Sequence, residues 1–310
     1  FAIQKIVIWS CKNTLNEIDD NTWLKKCYDP FLEHNYFVRF LWQYTKLNKQ
    51  ISKESCDMLF VPGGSNFTKF NPIVTMSQNL LPFELKEMFR YGVSLLTLKF
   101  YLLRSSQSLS FKNANGVIFL TDYAKNSIKK VVNQFKGSNV VIPHGISKMF
   151  FLRPRPQIEI NKYTFDNPFQ LLYVSPVEPY KHHFHVIDAV VKLRFKGIPV
   201  ELKLVGSANI SMLKKLKKKM YDADPKKKFI HYYGFTPHEN LPLIYSSANI
   251  FIFASSCENM PITMMEGMAS GVPIACSNCG PMPKILSDGG VYFDPENSDS
   301  IALAIRKLIK

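Results

Sequence analysis

The sequence predicts an α/β protein whose parallel β-sheets are covered by helices on both faces. Two observations lead to this class. Short apolar, β-branched runs alternate with segments of helical periodicity, and the same alternation occurs in both halves of the 310 residues. Such alternation is typical of parallel strands joined by crossover helices. Because 46% of the residues are hydrophobic, the chain has material for two cores, and we expect two similar domains.

In the first half, short apolar runs predict strands and amphipathic runs predict helices. The predicted strands are 3–9, 36–42, 57–61, 73–76, 117–120 and 140–142. The predicted helices are 21–34, a pair within 83–113 that breaks near Gly92, and 122–134. Thr121 or Asp122 is expected to cap the last of these helices, because both side chains can accept a hydrogen bond from its first turn.

A stretch rich in proline and charge follows, and it indicates a linker. Pro143-His144-Gly145 opens it and Arg153-Pro154-Arg155-Pro156 continues it. We therefore expect a first domain at 1–148, a linker at 149–167 and a second domain at 168–310. The chain begins without methionine and its last helix ends without a cap, so we expect both domains to be truncated at their outer ends.

The second half repeats the rhythm of the first. The predicted strands are 170–174, 200–205, 229–232, 250–253, 273–276 and 290–293. The predicted helices are 182–195, 210–221, 238–246, the helix that contains Glu266, and 298–310.

Two carboxylates near the end of strand 250–253 are the most informative feature. Glu258 lies in the loop after the strand, Pro261 suits the first position of a helix, and Glu266 lies inside that helix. In open α/β sheets, ligands bind beyond the carboxyl ends of the strands. Carboxylates accept hydrogen bonds from hydroxyls, and helix N-terminal amides favour an anion. The spacing therefore predicts a site for a nucleotide diphosphate sugar.

This Glu-x7-Glu pattern resembles the donor-site signature of retaining glycosyltransferases of the GT-B fold, family 4 (glycosyl transferases group 1). The resemblance extends from about residue 167 to the end of the chain. It includes the segment Tyr173–Lys181, the base-side loop Tyr233-Gly234-Phe235 and the closing strand Val291–Pro295. The resemblance implies two Rossmann-like domains that face each other across a cleft.

The resemblance also implies roles for individual residues. Glu258 would contact the transferred sugar, and Lys181 would stabilise the departing diphosphate; these are the candidate catalytic residues. Glu266 would hold the ribose hydroxyls. The remaining candidate donor-binding residues are Asn259, Met260, Gly234, Gln78 and Asn79.

Two of the positions that depart from the family pattern concern the charge of the site and the transfer of a proton. Pro176 stands where the family has an arginine, and we expect His182, His183 or Lys192 to compensate for the missing charge. Gln78 stands where many relatives have a histidine, and an amide is not a base at neutral pH. The family mechanism then implies that an oxygen of the leaving phosphate accepts the proton of the acceptor.

The net charge of +15 has two interpretations that the sequence leaves open. The lysines cluster at 214–219 and 226–228, either as a solvated helix face or as a surface attracted to an anionic membrane. No nucleic-acid motif accompanies the charge. The segment 83–104 mixes basic and large apolar residues, and we favour a helix that covers the sheet over one that faces a membrane.

Metal and disulfide chemistry are not expected. The sequence contains no Asp-x-Asp pattern, and its six cysteines show no framework spacing, so we expect reduced thiols, a cytoplasmic protein (at the inner face of the membrane if the basic surface binds lipid) and no cofactor besides the donor.

We expect a retaining glycosyltransferase that moves a hexose to a saccharide or lipid-linked acceptor in polysaccharide or glycoconjugate synthesis. The alternatives are a non-catalytic nucleotide-sugar-binding module and a GT-B nucleotide-sugar epimerase.

Overall fold

The computed structural model describes residues 3–309, with the side chain of Tyr36 excepted. Phe1, Ala2 and Lys310 lie outside the described residues, and with them the last position of the predicted helix 298–310. The strands are β1 (Ile6–Ser10), β2 (Leu24–Tyr28), β3 (Leu59–Val61), β4 (Ile73–Met76), β5 (Gly116–Phe119), β6 (Ser138–Val141), β7 (Phe169–Val174), β8 (Val200–Val205), β9 (Ile230–Tyr232), β10 (Ile250–Phe253), β11 (Ile274–Ser277) and β12 (Gly290–Phe293).

Helices connect most of these strands. They are α1 (Lys12–Asn16), α2 (Tyr36–Trp42), α3 (Asn48–Lys53), α4 (Leu85–Met88), α5 (Leu95–Asn113), α6 (Asp122–Val132), α7 (His183–Phe195), α8 (Ile210–Ala223), α9 (Leu241–Ser247), α10 (Ile262–Ala269), α11 (Met282–Leu286) and α12 (Ser298–Leu308). A π-helical turn, Gln43–Leu47, joins α2 to α3.

The chain divides into two compact units. The first contains the residues up to Ser77, together with Ser105–Ile118 and Val132–Val140. It holds the parallel pair β1–β2 and most of a sheet with the order β3-β4-β5-β6. The second contains Gln78–Arg104, Phe119–Val131 and the chain from Val141 onwards. The domain boundaries expected at residues 148 and 167 remain a prediction.

The second unit is built around a parallel sheet with the order β12-β11-β10-β7-β8-β9. Its two faces carry separate apolar cores. Side chains of α7, α8 and α12 pack on one face, and side chains of α9, α10 and α11 pack on the other. All four residues of β10 are buried, which explains why its sequence has no polar position. The predicted α/β class with parallel sheets is confirmed.

Two predicted elements of the first half are wrong. The segment 21–34 was expected to be a helix, but it contains β2, which pairs in parallel with β1, and a 3₁₀ turn, Pro30–Glu33. The segment 36–42 was expected to be a strand, but it forms α2. The Asn35 side chain accepts a hydrogen bond from the Val38 amide at 3.3 Å and so caps the helix. This cap outweighs the strand preference of the aromatic residues that follow.

The long helix α5 buries one side and exposes the other. Thr97 and Phe100 are buried, whereas Leu95, Leu98 and Leu102 are exposed although they share one helical face. The predicted break near Gly92 is confirmed. The helix therefore packs on the protein along one side only.

Gly206 marks a close approach of two chain segments just beyond the ends of β7 and β8. Its φ is +141°, and a Cβ atom would lie 2.1 Å from the carbonyl oxygen of Ser175. We expect Gly206→Ala to lower the free energy of unfolding by at least about 3 kcal/mol, since backbone must move. Gly197→Ala is the control, because Gly197 has φ +78° with open space around it, and it should cost about 1–2 kcal/mol.

Chemical denaturation of both variants measures the difference. Equal losses for the two variants would contradict the close approach at Gly206.

Candidate functional site

The six-stranded sheet has a topological switch point between β7 and β10. From β7 the chain proceeds outward through β8 to β9, whereas from β10 it proceeds in the opposite direction through β11 to β12. The loop after β7 carries Lys181, and the loop after β10 carries Glu258. A crevice forms at such a point because the two connections diverge to opposite sides. The strand order therefore places both predicted catalytic residues beside the switch point.

Lys181 and Glu258 form a buried ion pair. The Lys181 ammonium donates a hydrogen bond to Glu258 Oε1, and the exposed fractions of the two side chains are 8% and 14%. The ammonium also lies 5.3 Å and 5.5 Å from the ring centroids of Tyr180 and Phe253. The ion pair and the two aromatic faces together compensate the loss of hydration.

A hydrogen bond from strand β7 fixes the backbone at Lys181. Tyr173, which is fully buried in β7, donates a hydrogen bond from its hydroxyl group to the Lys181 carbonyl at 2.6 Å. Lys181 ends a 3₁₀ turn, Pro179–Lys181, and the next residue, His182, has a left-handed backbone with φ +51°. The helix α7 begins directly after this left-handed residue, at His183.

Glu266 lies inside α10, as predicted, and is buried. Its Oε1 contacts His238 Nε2 at 3.1 Å, and its Oε2 accepts a hydrogen bond from the Tyr245 hydroxyl at 3.1 Å. Burial raises the pKa of the Glu266 carboxyl, while the hydrogen bonds from His238 and Tyr245 act in the opposite direction. Tyr245 is buried and His238 is more than half exposed, so one partner is fixed and the other can move.

Backbone contacts fix three further predicted donor-binding residues. The Asn259 carbonyl accepts a hydrogen bond from Thr121 Oγ1 at 3.0 Å, and the Met260 carbonyl accepts one from the Ile262 amide at 3.0 Å. Gly234 has φ +72°, and its carbonyl accepts a hydrogen bond from the Gly206 amide at 2.8 Å. Their contacts with a donor remain predictions.

The two candidates from the first half lie at the start of the segment 78–104. Gln78 and Asn79 are both exposed. Asn79 Oδ1 accepts a hydrogen bond from the Leu81 amide at 3.0 Å, which holds the turn before α4. This contact gives Asn79 a local structural role, and its role in donor binding remains a prediction, as does that of Gln78.

The residues expected to replace the missing arginine do not supply a second positive charge. Burial, together with the nearby charges of Arg90 and His185, lowers the pKa of His182 to about 4. Burial also lowers the pKa of His183 to about 3, so both imidazoles are neutral at pH 7. Lys192 pairs with Asp299 at 2.7 Å on the far end of α7. The expected compensation is therefore wrong for the two histidines, and Lys192 is engaged elsewhere.

A polar network that the sequence did not reveal supports this loop. Ser256, two residues before Glu258, donates a hydrogen bond to Glu87 Oε2 at 2.5 Å. Glu87 in turn accepts from Arg90 Nε at 2.6 Å, and Arg90 Nη2 donates to Glu296 Oε1 at 2.6 Å. Hydrogen bonds from Arg90 and Lys86 lower the pKa of Glu296 to about 2.

His182 is the other end of this network. Its Nε2 lies 2.9 Å from Ser256 Oγ. Because the hydroxyl proton of Ser256 is directed to Glu87, His182 must donate from Nε2, which fixes its neutral tautomer. The segment 85–91 is thus connected through Glu87 and Ser256 to the loop of Glu258, and through His182 to the turn of Lys181.

Sequence signals for these contacts were weak. Ser256 belongs to the same Ser-Ser-Cys-Glu run as Glu258, so its place near the site was recognisable. Glu87 and Arg90 lie about 170 residues earlier, and no local pattern relates them to Ser256. His238 could have been found as the only histidine of its predicted helix segment 238–246.

Neither metal sites nor membrane spans are found in the described part of the chain. Across residues 3–309, no group of three or more His, Cys, Asp and Glu side chains is arranged to hold a metal ion. None of the helices in that range is long and apolar enough to cross a membrane.

Comparison with known sequences identifies a family model. Residues 156–310 match the model described as glycosyl transferases group 1. The O-antigen chain mannosyltransferase B of Escherichia coli is 24% identical to this chain over 204 residues, which cover 63% of this chain and 52% of that protein. The chain thus spans about half the length of this curated relative.

Solved structures share the fold. The sucrose-phosphate synthase of Thermosynechococcus elongatus matches 97% of this chain and 79% of its own, with a TM-score of 0.74 and 17% sequence identity. The Anabaena protein HepE, in complex with UDP and glucose, matches 93% of this chain and 76% of its own, with a TM-score of 0.65 and 16% identity. These likenesses confirm the predicted GT-B fold.

The Glu87 network yields a stability prediction. We expect Glu87→Gln to lower the free energy of unfolding by about 1.5–3 kcal/mol, because charged hydrogen bonds to Arg90 and Ser256 are weakened in a buried place. Glu239→Gln removes an exposed carboxylate and should change the free energy by less than about 0.5 kcal/mol. Urea denaturation compares the variants, and equal small effects would refute a supporting role for Glu87.

The buried carboxyl of Glu266 yields a pH prediction. Its pKa is raised in the folded protein above the ordinary value of 4.5, so the folded state binds this proton more tightly than the unfolded state. The protonated Glu266 carboxyl therefore contributes to the free energy of unfolding at low pH. This contribution is lost as the pH rises through the pKa that Glu266 has in the folded protein. Relative to wild type, Glu266→Gln should therefore become more stable as the pH rises from about 4.5 towards neutral.

Urea denaturation at several pH values measures this difference. A stability difference that stays constant over this range would contradict the raised pKa.

Proposed function

The chain belongs to the glycosyl transferases group 1 family, and from this premise we propose that it is a retaining hexosyltransferase. It would move a hexose from a nucleotide diphosphate sugar to a saccharide or lipid-linked acceptor in polysaccharide or glycoconjugate synthesis. The observation that carries the proposal is the buried Lys181–Glu258 pair beside the switch point of the sheet. The name of the Escherichia coli relative makes mannose the first hexose to test.

The ion pair suits a site whose ligand is a dianion attached to a sugar. Glu258 neutralises the Lys181 ammonium. A bound diphosphate would compete for the same ammonium, because it is the stronger and more highly charged acceptor. Glu258 would then lose its partner and become available to the sugar hydroxyls. Binding would thus exchange one buried carboxylate for one phosphate, without leaving an unpaired ammonium in the site.

The chemical step needs no side-chain base. The bond between the anomeric carbon and the phosphate oxygen breaks, and the acceptor hydroxyl attacks from the same face. The proton of that hydroxyl passes to the leaving phosphate oxygen, and the new bond keeps the configuration of the old one. Lys181 would stabilise the negative charge on the departing diphosphate, and the Glu258 carboxylate would stabilise the positive charge at the anomeric carbon.

Glu266 suits the ribose because its position is fixed. The Tyr245 hydroxyl holds one of its oxygens, and the Tyr245 hydroxyl is also within 2.9 Å of the Thr263 carbonyl. His238, which is mostly exposed, could give way to the two ribose hydroxyls. Gly234 would lie on the base side, and the amides of Asn259 and Met260 would face the phosphates.

One observation favours a second candidate. Pro176 replaces an arginine of the family pattern, and both His182 and His183 are neutral at pH 7. A site with a single cation could bind a nucleotide sugar without cleaving it, which is the behaviour of a non-catalytic binding module. The third candidate, an epimerase, would invert the configuration of one carbon in the donor sugar, and it would need no acceptor.

Donor screening separates these candidates. Thermal shifts with GDP-mannose, UDP-glucose and related donors identify the ligand, and NMR of the donor with and without saccharide acceptors identifies the reaction. Transfer with an unchanged anomeric configuration supports the proposal. Binding of a nucleotide sugar without turnover would establish the non-catalytic binding module. Inversion of one carbon of the donor sugar without an acceptor would establish the epimerase.

The two members of the ion pair should respond differently to substitution. We expect Glu258→Gln to bind the nucleoside diphosphate more tightly than wild type, because the ammonium is no longer neutralised, and yet to lose about a hundredfold or more in transfer rate. Lys181→Gln should lose both nucleotide affinity and rate. Calorimetry and a transfer assay measure the two effects.

Lys192→Gln is the matched control, because it removes a lysine that pairs with Asp299 on the surface. It should leave both quantities unchanged. Weaker nucleotide binding in Glu258→Gln would contradict the proposed exchange of partners.

A further inference from the structure

The threonine that precedes α6 has a hydroxyl group with two partners. Thr121 Oγ1 accepts a hydrogen bond from the Ala124 amide at 3.1 Å and donates one to the Asn259 carbonyl at 3.0 Å. Because an amide can only donate and a carbonyl can only accept, the single hydroxyl proton must be directed to Asn259. Both Thr121 and Asn259 are buried. The hydroxyl group therefore caps α6 and, with its proton, holds the loop after β10.

The first turn of α6 is itself held in place by other parts of the second unit. The Tyr123 hydroxyl donates a hydrogen bond to Glu84 Oε1 at 2.9 Å. Asp122 pairs with Lys284 of α11 at 2.5 Å. All of these residues belong to the second unit, as Thr121 does. The Thr121 hydroxyl is thus a donor whose position is fixed from several sides.

The contact at Asn259 determines the direction of the next amide in the chain. A peptide group is planar and, apart from bonds to proline, almost always trans, so its C=O and N–H point in opposite directions. Asn259 supplies the C=O and Met260 supplies the N–H of one such group. Because the carbonyl points at Thr121, the Met260 amide points away from Thr121.

The next peptide group is fixed by a different device. Met260 precedes Pro261, and a residue before proline is biased towards extended backbone. The Met260 carbonyl accepts a hydrogen bond from the Ile262 amide at 3.0 Å, and Pro261 has φ −81° and ψ 77°, which is the geometry of an inverse γ-turn. The start of α10 is therefore held by its own turn, whereas Thr121 holds the peptide group before it.

We propose that Thr121 is a positioning residue of the donor site, which directs the Met260 amide at the diphosphate. This inference rests on the proposed function, in which the amides of Asn259 and Met260 face the phosphates. An amide binds a phosphate oxygen only when it points at that oxygen, because hydrogen bonds weaken steeply at N–H···O angles below about 120°. Without the hydroxyl group, the peptide group can rotate and turn the Met260 amide away. Thr121 acts in this way without contacting the donor.

A threonine that only caps α6 leads to a different expectation. Its loss would lower the free energy of unfolding but would leave the affinity of the folded chain for every ligand unchanged. A threonine that directs the Met260 amide predicts a loss of affinity that is confined to ligands with phosphate groups. The comparison of a nucleoside diphosphate with its nucleoside therefore separates the two roles.

Calorimetry of Thr121→Val with UDP and GDP tests the proposal, because valine has the shape of threonine without its hydroxyl group. The affinity for whichever nucleoside diphosphate wild type prefers should fall about tenfold, which is the effect of losing one hydrogen bond to a charged group. The affinity for the corresponding nucleoside, measured by NMR titration, should stay unchanged. Thr121→Ser keeps the hydroxyl group and should bind the diphosphate like wild type.

Thr97→Val is the matched control. Thr97 is buried in the same unit, and its hydroxyl group donates a hydrogen bond to the Gly92 carbonyl at 2.6 Å near the start of α5. The same loss of a hydroxyl group should leave both affinities unchanged. Thermal unfolding verifies that each variant is folded. If Thr121→Val does not fold, Thr121→Gly takes its place, because glycine is tolerated at a helix N-cap.

Three results would overturn the proposal. One is a folded Thr121→Val that binds the diphosphate as tightly as wild type. Another is an equal loss of affinity for the diphosphate and the nucleoside, or a loss in Thr97→Val as large as that in Thr121→Val. The last is a Thr121→Ser variant that binds as weakly as Thr121→Val.

Failure of the proposed function gives a different result. A wild-type chain that binds neither UDP nor GDP would overturn the nucleotide site and this inference together. A wild-type chain that binds the nucleotide but transfers no sugar would overturn the transferase alone, and a phosphate-specific loss in Thr121→Val would still support the role of Thr121.

Discussion

The ion pair between Lys181 and Glu258 is the interaction on which the loops at the carboxyl edge of the sheet in the second unit depend. A buried ammonium is tolerated only when an opposite charge and aromatic faces replace its water. The loop after β7 and the loop after β10 must therefore meet, although they leave the sheet in different directions. Tyr173 holds the backbone of Lys181 through a hydrogen bond, and Ser256 connects the loop of Glu258 to His182. Each of these contacts limits the movement of one member of the ion pair.

Much of this arrangement could be predicted from local sequence. A run such as Ile250–Phe253 has no polar position and consists of β-branched and aromatic residues, which favours a strand buried on both faces. Glu258 follows this strand within five residues and so lies at its carboxyl end, and Glu266 lies in the helix that comes next, which is why both could be placed without a structure. The contacts among Glu87, Arg90, Ser256 and Glu296 could not be predicted, because they depend on tertiary approach of segments far apart in the chain.

The errors in the first half have a different origin. Residues 36–42 are aromatic and apolar enough to suit a strand, and helical periodicity in so short a run is ambiguous. The decision comes from the Asn35 cap and from the burial of Trp42 over Asp29. The strand β2 has no strict alternation, because Leu24, Lys26 and Cys27 are all half-buried, and it was hidden within a segment of helical appearance. In both segments, contacts with residues outside the segment determine the secondary structure.

The presence of Glu258 next to Lys181 has a consequence for turnover. In the proposed reaction, the Lys181 ammonium holds the departing nucleoside diphosphate. The Glu258 carboxylate is a second acceptor for the same ammonium, because it lies within hydrogen-bonding distance. Once the sugar has gone, Glu258 can take back its partner and lower the affinity of the site for the spent nucleotide. A cation without such a neighbour would retain the product. The Glu258 carboxylate would thus bind the sugar before transfer and promote release of the nucleoside diphosphate after it.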